Sequence, residues 1–179
     1  PARRYRQWMH EHFRPAPIPS QRPAWVRDIR CVVTMGQDRN ALEQLAKRID
    51  PRQTLVYLPS WRTPGYDRDY PNYTAVMADV EPFVRRAHEL GFRVMLHTNY
   101  FGVDPLNAEY ARFEPYHVRS PWGQHEKQWW LWTRATPEIK FAYINPALQA
   151  WREHFISAMV DLCRRLSIDA VHLDQTLCI

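Results

Sequence analysis

The stretch Ile168-Asp169-Ala170-Val171-His172-Leu173-Asp174-Gln175 holds the residue types best suited to chemistry. An imidazole, a carboxylate and an amide punctuate a short apolar run. That run reads as a buried parallel strand with Asp174 at its C-terminal end, which is where α/β folds keep their reactive groups. A carboxylate in that position can attack an electrophilic carbon.

Two earlier strand ends are expected to converge on the same rim. Phe92 to His97 reads as a strand that delivers His97, Thr98 and Asn99. Thr54 to Leu58 reads as another, followed by Ser60, Trp61 and Arg62, with Asp67 further along its loop. Charged and hydrogen-bonding groups beside an indole suit a sugar, whose hydroxyls need directional partners and whose C–H faces stack on aromatic rings. Each group also has a plain structural reading. Asp174 could cap a loop, His97 and His172 could be satisfied core histidines, and Asn99 could be a turn residue. Arg62 could form an ion pair with Asp67 or Asp69. A three-ligand metal site of His97, His172 and Asp174 is a further alternative, although no two of these ligands share a close H-x-H or H-x-x-x-H spacing.

The elements that must position these groups follow from apolar periodicity. Tyr5 to Phe13 is spaced for a short helix, and the Pro-rich segment 14–19 is an extended connector. Ile29 to Met35 is a first strand ended by Gly36. Ala41 to Ile49 is a helix with Asn40 as its cap. Glu81 to Leu90 is a second helix, with Pro82 in its first turn and Gly91 as its stop. Asn145-Pro146 opens a third, whose stripe is Leu148, Trp151, Phe155, Met159, Leu162 and Leu166. Between these lies the long segment from Thr98 to Tyr143, weakly periodic but dense in aromatics: Trp122, Trp129, Trp130, Trp132, Tyr116 and Tyr143. Apolar packing over the rim or stacking platforms for sugar rings would both explain them.

The order is β-α-β-α-β-α-β, with strands that read as buried on both faces. Right-handed crossovers then make all four parallel. A doubly wound sheet and half of a (β/α)8 barrel both fit. No Gly-rich phosphate loop follows any strand, the chain has 5 glycines, and long loops after the second and third strands favour the barrel. The expected fold is therefore the N-terminal half, about four β/α units, of a TIM (β/α)8 barrel. Residues 1–22 are expected to form a basic, Pro-rich leader and residues 23–179 a partial barrel ending after its fourth strand.

Composition bounds the partners. The 179 residues are 45% apolar with a formal net charge of +5. Residues 1–30 carry seven Arg against Glu11 and Asp28, so the excess sits in the N-terminal arm and the remainder balances. No nucleic-acid signature or membrane-length apolar run is present, and no cofactor is expected. Cys31, Cys163 and Cys178 form no C-x-x-C pair and read as buried free thiols.

Several of these stretches resemble glycoside hydrolase (β/α)8 barrels of the broad α-amylase and α-galactosidase type. They are Gly91 to Asn99, Ile144-Asn145-Pro146 with Trp151-Arg152, and Asp169 to Gln175. Together with Tyr57 to Arg62 and Gly65-Tyr66-Asp67, they look most like a little-characterised group of glycosidase-like barrels. The resemblance covers roughly residues 23–179. It implies that Asp174 is the nucleophile of a retaining enzyme and that Asn99 matches the active-site Asn of the amylase pattern. Trp61, Arg62, Asp67, His97, His172 and Gln175 would hold a carbohydrate substrate. One departure stands out: amylases carry Arg two residues before the nucleophile, where this chain has His172. Hydrolysis needs two carboxyl groups, about 5 Å apart for retention or about 6.5–9.5 Å for inversion. The resemblance places the general acid on a later strand, and Asp67, Asp104 and Glu126 are the candidates within the sequence. The alternatives are a carbohydrate-binding barrel without catalysis and a metal-dependent hydrolase using His97, His172 and Asp174. The stretch alone is expected to be inactive and marginally stable, with unpaired strand edges.

Overall fold

The computed structural model describes residues 2–13, 22–120, 122, 126–127, 129–132 and 139–174. Four strands, β1 (Cys31–Thr34), β2 (Thr54–Leu58), β3 (Arg93–Asn99) and β7 (Ala170–Asp174), form one sheet in the order β1-β2-β3-β7. Every neighbouring pair is parallel. The helices between them are α2 (Arg39–Ala46), α3 (Val80–Leu90) and α5 (Gln149–Leu166), while α1 (Ala2–Phe13) precedes the sheet and buries no residue. The expected parallel, alternating β/α order of a partial barrel is what the chain adopts.

Side chains alternate across a strand, so register decides which residues share a face. Val56 aligns with Val94, and Leu58 with Leu96 and Val171. These pack in one cluster with Leu42 of α2, Phe83 and Val84 of α3, and Phe155, Met159 and Leu162 of α5. The opposite face carries Tyr57, His97, His172, Asn99 and Asp174, with His97 level with His172 and Asn99 level with Asp174. One face is thus a hydrocarbon seam under three helices. The other is polar, and the candidate site is on it.

Local chemistry explains the element ends. In α3, Pro82 occupies the first turn, where its missing N–H breaks no helical bond. Gly91 stops the helix at φ 98°, a conformation that costs a glycine little. The α5 stripe is buried as expected from Trp151 to Leu166. Asp169, just before β7, accepts from Val94 N (2.9 Å), Arg93 Nη1 (2.7 Å) and His88 Nε2 (2.8 Å), which ties the start of β7 to β3 and α3.

Four local expectations are corrected. Asp38 caps α2, accepting from Ala41 N at 3.0 Å, because the helix begins two residues before the predicted Ala41. Asn145 does not cap α5: its Oδ1 accepts from Ala147 N in a turn that precedes the helix, which starts at Gln149. Strand β1 is largely exposed, since it pairs only with β2, and Cys31 on it is exposed too. Cys163 is partly covered, and Cys178 lies outside the described residues.

The segment 98–143 is more ordered than its weak periodicity suggests. It contains β4 (Gly102–Val103), α4 (Tyr110–Phe113), β5 (Trp129–Trp132) and β6 (Ile139–Tyr143), with an antiparallel sheet in the order β4-β6-β5. Phe101, Val103, Phe113, Ala142, Ile144 and Trp151 make its own buried cluster. Among the described residues, no helix is long and apolar enough to cross a membrane.

Candidate active site

Parallel register brings the predicted rim together. Asp174 ends β7 with its side chain 31% exposed, and its Oδ2 stands 3.9 Å from His97 Nε2. The same nitrogen is 3.7 Å from Asp67 Oδ1. Asp67, from the loop after β2, is otherwise sealed: its side chain is 2% exposed and Oδ1 accepts from the Tyr70 hydroxyl at 3.0 Å. Two carboxylates therefore flank one imidazole nitrogen, each beyond direct hydrogen-bond distance. Asp67 Oδ2 and His97 Nε2 are both buried without a protein partner. A buried carboxylate oxygen and ring nitrogen left open are costly unless something else bonds them.

The other side of His97 is engaged. Its Nδ1 is 2.7 Å from the Tyr57 hydroxyl, which also lies 3.4 Å from His172 Nδ1. The two Nδ1 atoms are 3.3 Å apart, and the Tyr66 ring centroid sits 4.8 Å from that of His97. Burial, then the nearby Tyr66, Asp174 and Asp67, push the Tyr57 hydroxyl up to about 12. Burial and the adjacent His97 lower the His172 imidazole below its usual value, while Asp174 opposes them. At neutral pH the phenol thus keeps its proton and His172 is uncharged.

Other predicted residues take structural duties. Trp61 offers no open face: it is 1% exposed, its N–H donates to the His97 carbonyl at 2.8 Å, and its ring stacks on Tyr73. Arg62 is 3% exposed; it donates to the Asn72 carbonyl at 2.9 Å and lies 4.0 Å over the Tyr70 ring, where an ion pair with Asp67 or Asp69 was the alternative. Asn99 Oδ1 accepts from Phe101 N and Gly102 N, so its oxygen serves the turn while its position adjoins Asp174. Asp104 holds Asp69 N and Leu106 N, and Glu126 is exposed, so neither joins the rim. Gln175 lies outside the described residues.

The aromatic loop divides. Trp122 is 82% exposed and Tyr116 49%, while Trp129 meets His117 edge-on at 4.5 Å and Tyr143 packs on Phe101 at 5.1 Å. The side chains of Trp130 and Trp132 are outside the described set. The metal reading finds no support: His97 and His172 turn their Nδ1 atoms toward Tyr57 and each other. Among the described residues no group of three His, Cys, Asp or Glu is arranged to hold an ion.

Tyr57 and Tyr66 are the site residues that sequence reasoning missed. The signal for Tyr57 was present: it occupies the same face of β2 that His97 occupies on β3 and His172 on β7, once the register is known.

The fold is similar to part of the (β/α)8 barrels of solved glycoside hydrolases. An alpha-N-acetylgalactosaminidase from Bifidobacterium bifidum superposes with a TM-score of 0.67 at 15% identity, covering 96% of this chain and 33% of its own. A maltogenic alpha-amylase from Thermotoga neapolitana superposes at 0.54 and 15% identity, covering 87% of this chain and 41% of its own. An alpha-amylase from Lactobacillus plantarum gives 0.56 at 14% identity, over 86% and 39%. The chain spans less than half the length of each. The chain belongs to the family described as "Domain of unknown function (DUF6259)", whose model matches residues 1–179. No curated protein matches it.

Proposed function

We propose that this chain carries the nucleophile of a glycoside hydrolase site, with Asp174 as the attacking carboxylate and a carbohydrate as the substrate. The observation that carries the reading is the placement of Asp174: partly exposed at the C-terminal end of β7, level with Asn99, and beside the unpaired Nε2 of His97. An Asp174 oxygen would bond to the anomeric carbon as the glycosidic C–O bond breaks, and the departing oxygen would take a proton from a second carboxyl group. Water would then hydrolyse the glycosyl ester. The positive charge that builds on the sugar ring suits a site with two carboxylates.

Asp67 is assigned neither a substrate hydroxyl nor the leaving-group proton, because it is sealed and already accepts from Tyr70; its place is beside His97. His172, partly exposed, is a hydroxyl partner on the same face as the buried His97. No described residue is assigned the acid role. The test is a set of aryl glycosides and 5-fluoro glycosyl fluorides of differing sugars, applied to the full-length protein. Turnover of one of them, a covalent label on Asp174 by mass spectrometry, and a loss of about 10³-fold or more in Asp174→Asn are expected. Wild-type turnover by that variant would remove Asp174 from the mechanism, and binding without turnover by the wild type would favour a non-catalytic carbohydrate-binding barrel.

A further inference from the structure

Three hydrogen-bonding atoms meet behind the candidate nucleophile: the Tyr57 hydroxyl and the Nδ1 atoms of His97 and His172. We propose that Tyr57 is a positioning residue that, together with the two carboxylates, holds His97 as its Nε2–H tautomer, so that His97 presents one N–H donor to the gap between Asp67 and Asp174. This deepens the hydrolase reading and rests on it only for what the donor is used for.

For neutral imidazoles the assignment follows from counting protons. A neutral imidazole carries one N–H, on either ring nitrogen. Two Nδ1 atoms 3.3 Å apart cannot both carry protons aimed at each other. The Tyr57 hydroxyl has one proton and can give it to only one of them. If Tyr57 donated to His172, His97 would place its N–H on Nδ1. Its bare Nε2 lone pair would then face Asp67 Oδ1 at 3.7 Å and Asp174 Oδ2 at 3.9 Å. A lone pair directed at two carboxylates in a buried site is repulsive. If Tyr57 donates to His97, Nε2 carries the proton and meets both carboxylates favourably. His172 then bears its proton on Nδ1, turned to the Tyr57 oxygen. The distances agree, since the Tyr57–His97 contact is 2.7 Å and the Tyr57–His172 contact is 3.4 Å. The high proton affinity of the buried phenol keeps it a donor throughout the neutral range.

The locked tautomer gives the gap a definite polarity. His97 Nε2–H is an unpaired donor and Asp67 Oδ2 an unpaired acceptor, both buried. A small group that both accepts and donates, a water or a hydroxyl, satisfies both, which a carbonyl or an ammonium cannot do.

The experiment is long-range 1H–15N correlation of the histidine rings in the uniformly 15N-labelled full chain without glycoside, with His97 assigned from the His97→Gln spectrum. His97 is expected with a protonated Nε2 and an unprotonated Nδ1, and His172 with the reverse. In Tyr57→Phe, which keeps the ring, the His97 Nδ1 shift is expected to move as it loses the hydroxyl's hydrogen bond, while the two carboxylates keep the proton on Nε2. A His97 carrying a proton on Nδ1 in the wild type, with or without one on Nε2, or an unchanged His97 Nδ1 shift in a folded Tyr57→Phe variant, would overturn the proposal. Because the readout is the resting protein, its failure leaves the hydrolase reading standing. Absence of glycoside turnover likewise leaves the tautomer assignment standing.

Discussion

Asn99 and Asp174 are register partners at the C-terminal ends of β3 and β7, and the Asn99 side-chain oxygen is committed to the turn that follows it. Gly102 N donates to Asn99 Oδ1 at 2.7 Å, and a Cβ on Gly102 would lie 2.8 Å from that same oxygen. The turn at 99–102 therefore holds the strand end beside the candidate nucleophile in place, and it does so only with glycine at 102.

Gly102→Ala is expected to push Asn99 off its hydrogen bonds and to destabilise the protein by about 1–3 kcal/mol, the usual cost of overpacking a closed site. Denaturant unfolding measures it. A stability unchanged from wild type would show that Asn99 can yield freely.

Asp169→Ala removes the acceptor for Val94 N, Arg93 and His88 from a position only 10% exposed. The two cationic or polar partners remain partly solvated, so the loss is expected at about 2–3 kcal/mol and not at the full cost of a buried pair. Hydrogen exchange should quicken at the start of β3 and β7 before it does elsewhere. Uniform quickening would contradict this clamp.

Trp61→Phe tests the correction to its role. The variant keeps a buried ring but loses the N–H that binds the His97 carbonyl. About 1–2 kcal/mol of stability is expected to go with it, read by chemical denaturation.

The pH dependence of stability has a defined sign at His172. Its folded-state affinity for a proton lies below that of the unfolded chain, so the unfolded state binds more protons as the pH falls below about 6.5. The contribution is present above that pH and is lost as the pH drops through the folded value. Thermal unfolding followed from pH 7 to pH 5 should show a decline that His172→Gln lessens. An identical slope in the variant would exclude His172 as a source.

Local order was legible wherever neighbours three or four apart, or a single special backbone position, decide the structure. Pro82 and Gly91 bracket α3 as read, and the stripe from Trp151 to Leu166 faces the core. The errors arose where competing local signals were close in strength. Asp38 and Asn40 are both capping residues, and Asn145-Pro146 suits a turn as well as a helix start. The antiparallel pairs of segment 98–143 escaped because strand pairing at a distance leaves no helical period to see.

By itself the amino-acid order determined the alternation of strands and helices and the carboxylate at the end of the fourth long strand. The parallel β/α order and the gathering of strand ends follow from those elements. Only the tertiary structure decided which residues look at one another. Tyr57 meets His97 across 40 positions and His172 across 115. A shift of one residue in either pairing would have turned these rings onto the helix-covered face. Burial sorted the rest: it closed Trp61 and Arg62 into the packing and left Asp174 at the opening. Side-chain chemistry is written in the sequence, but register and exposure arise only when the strands pair.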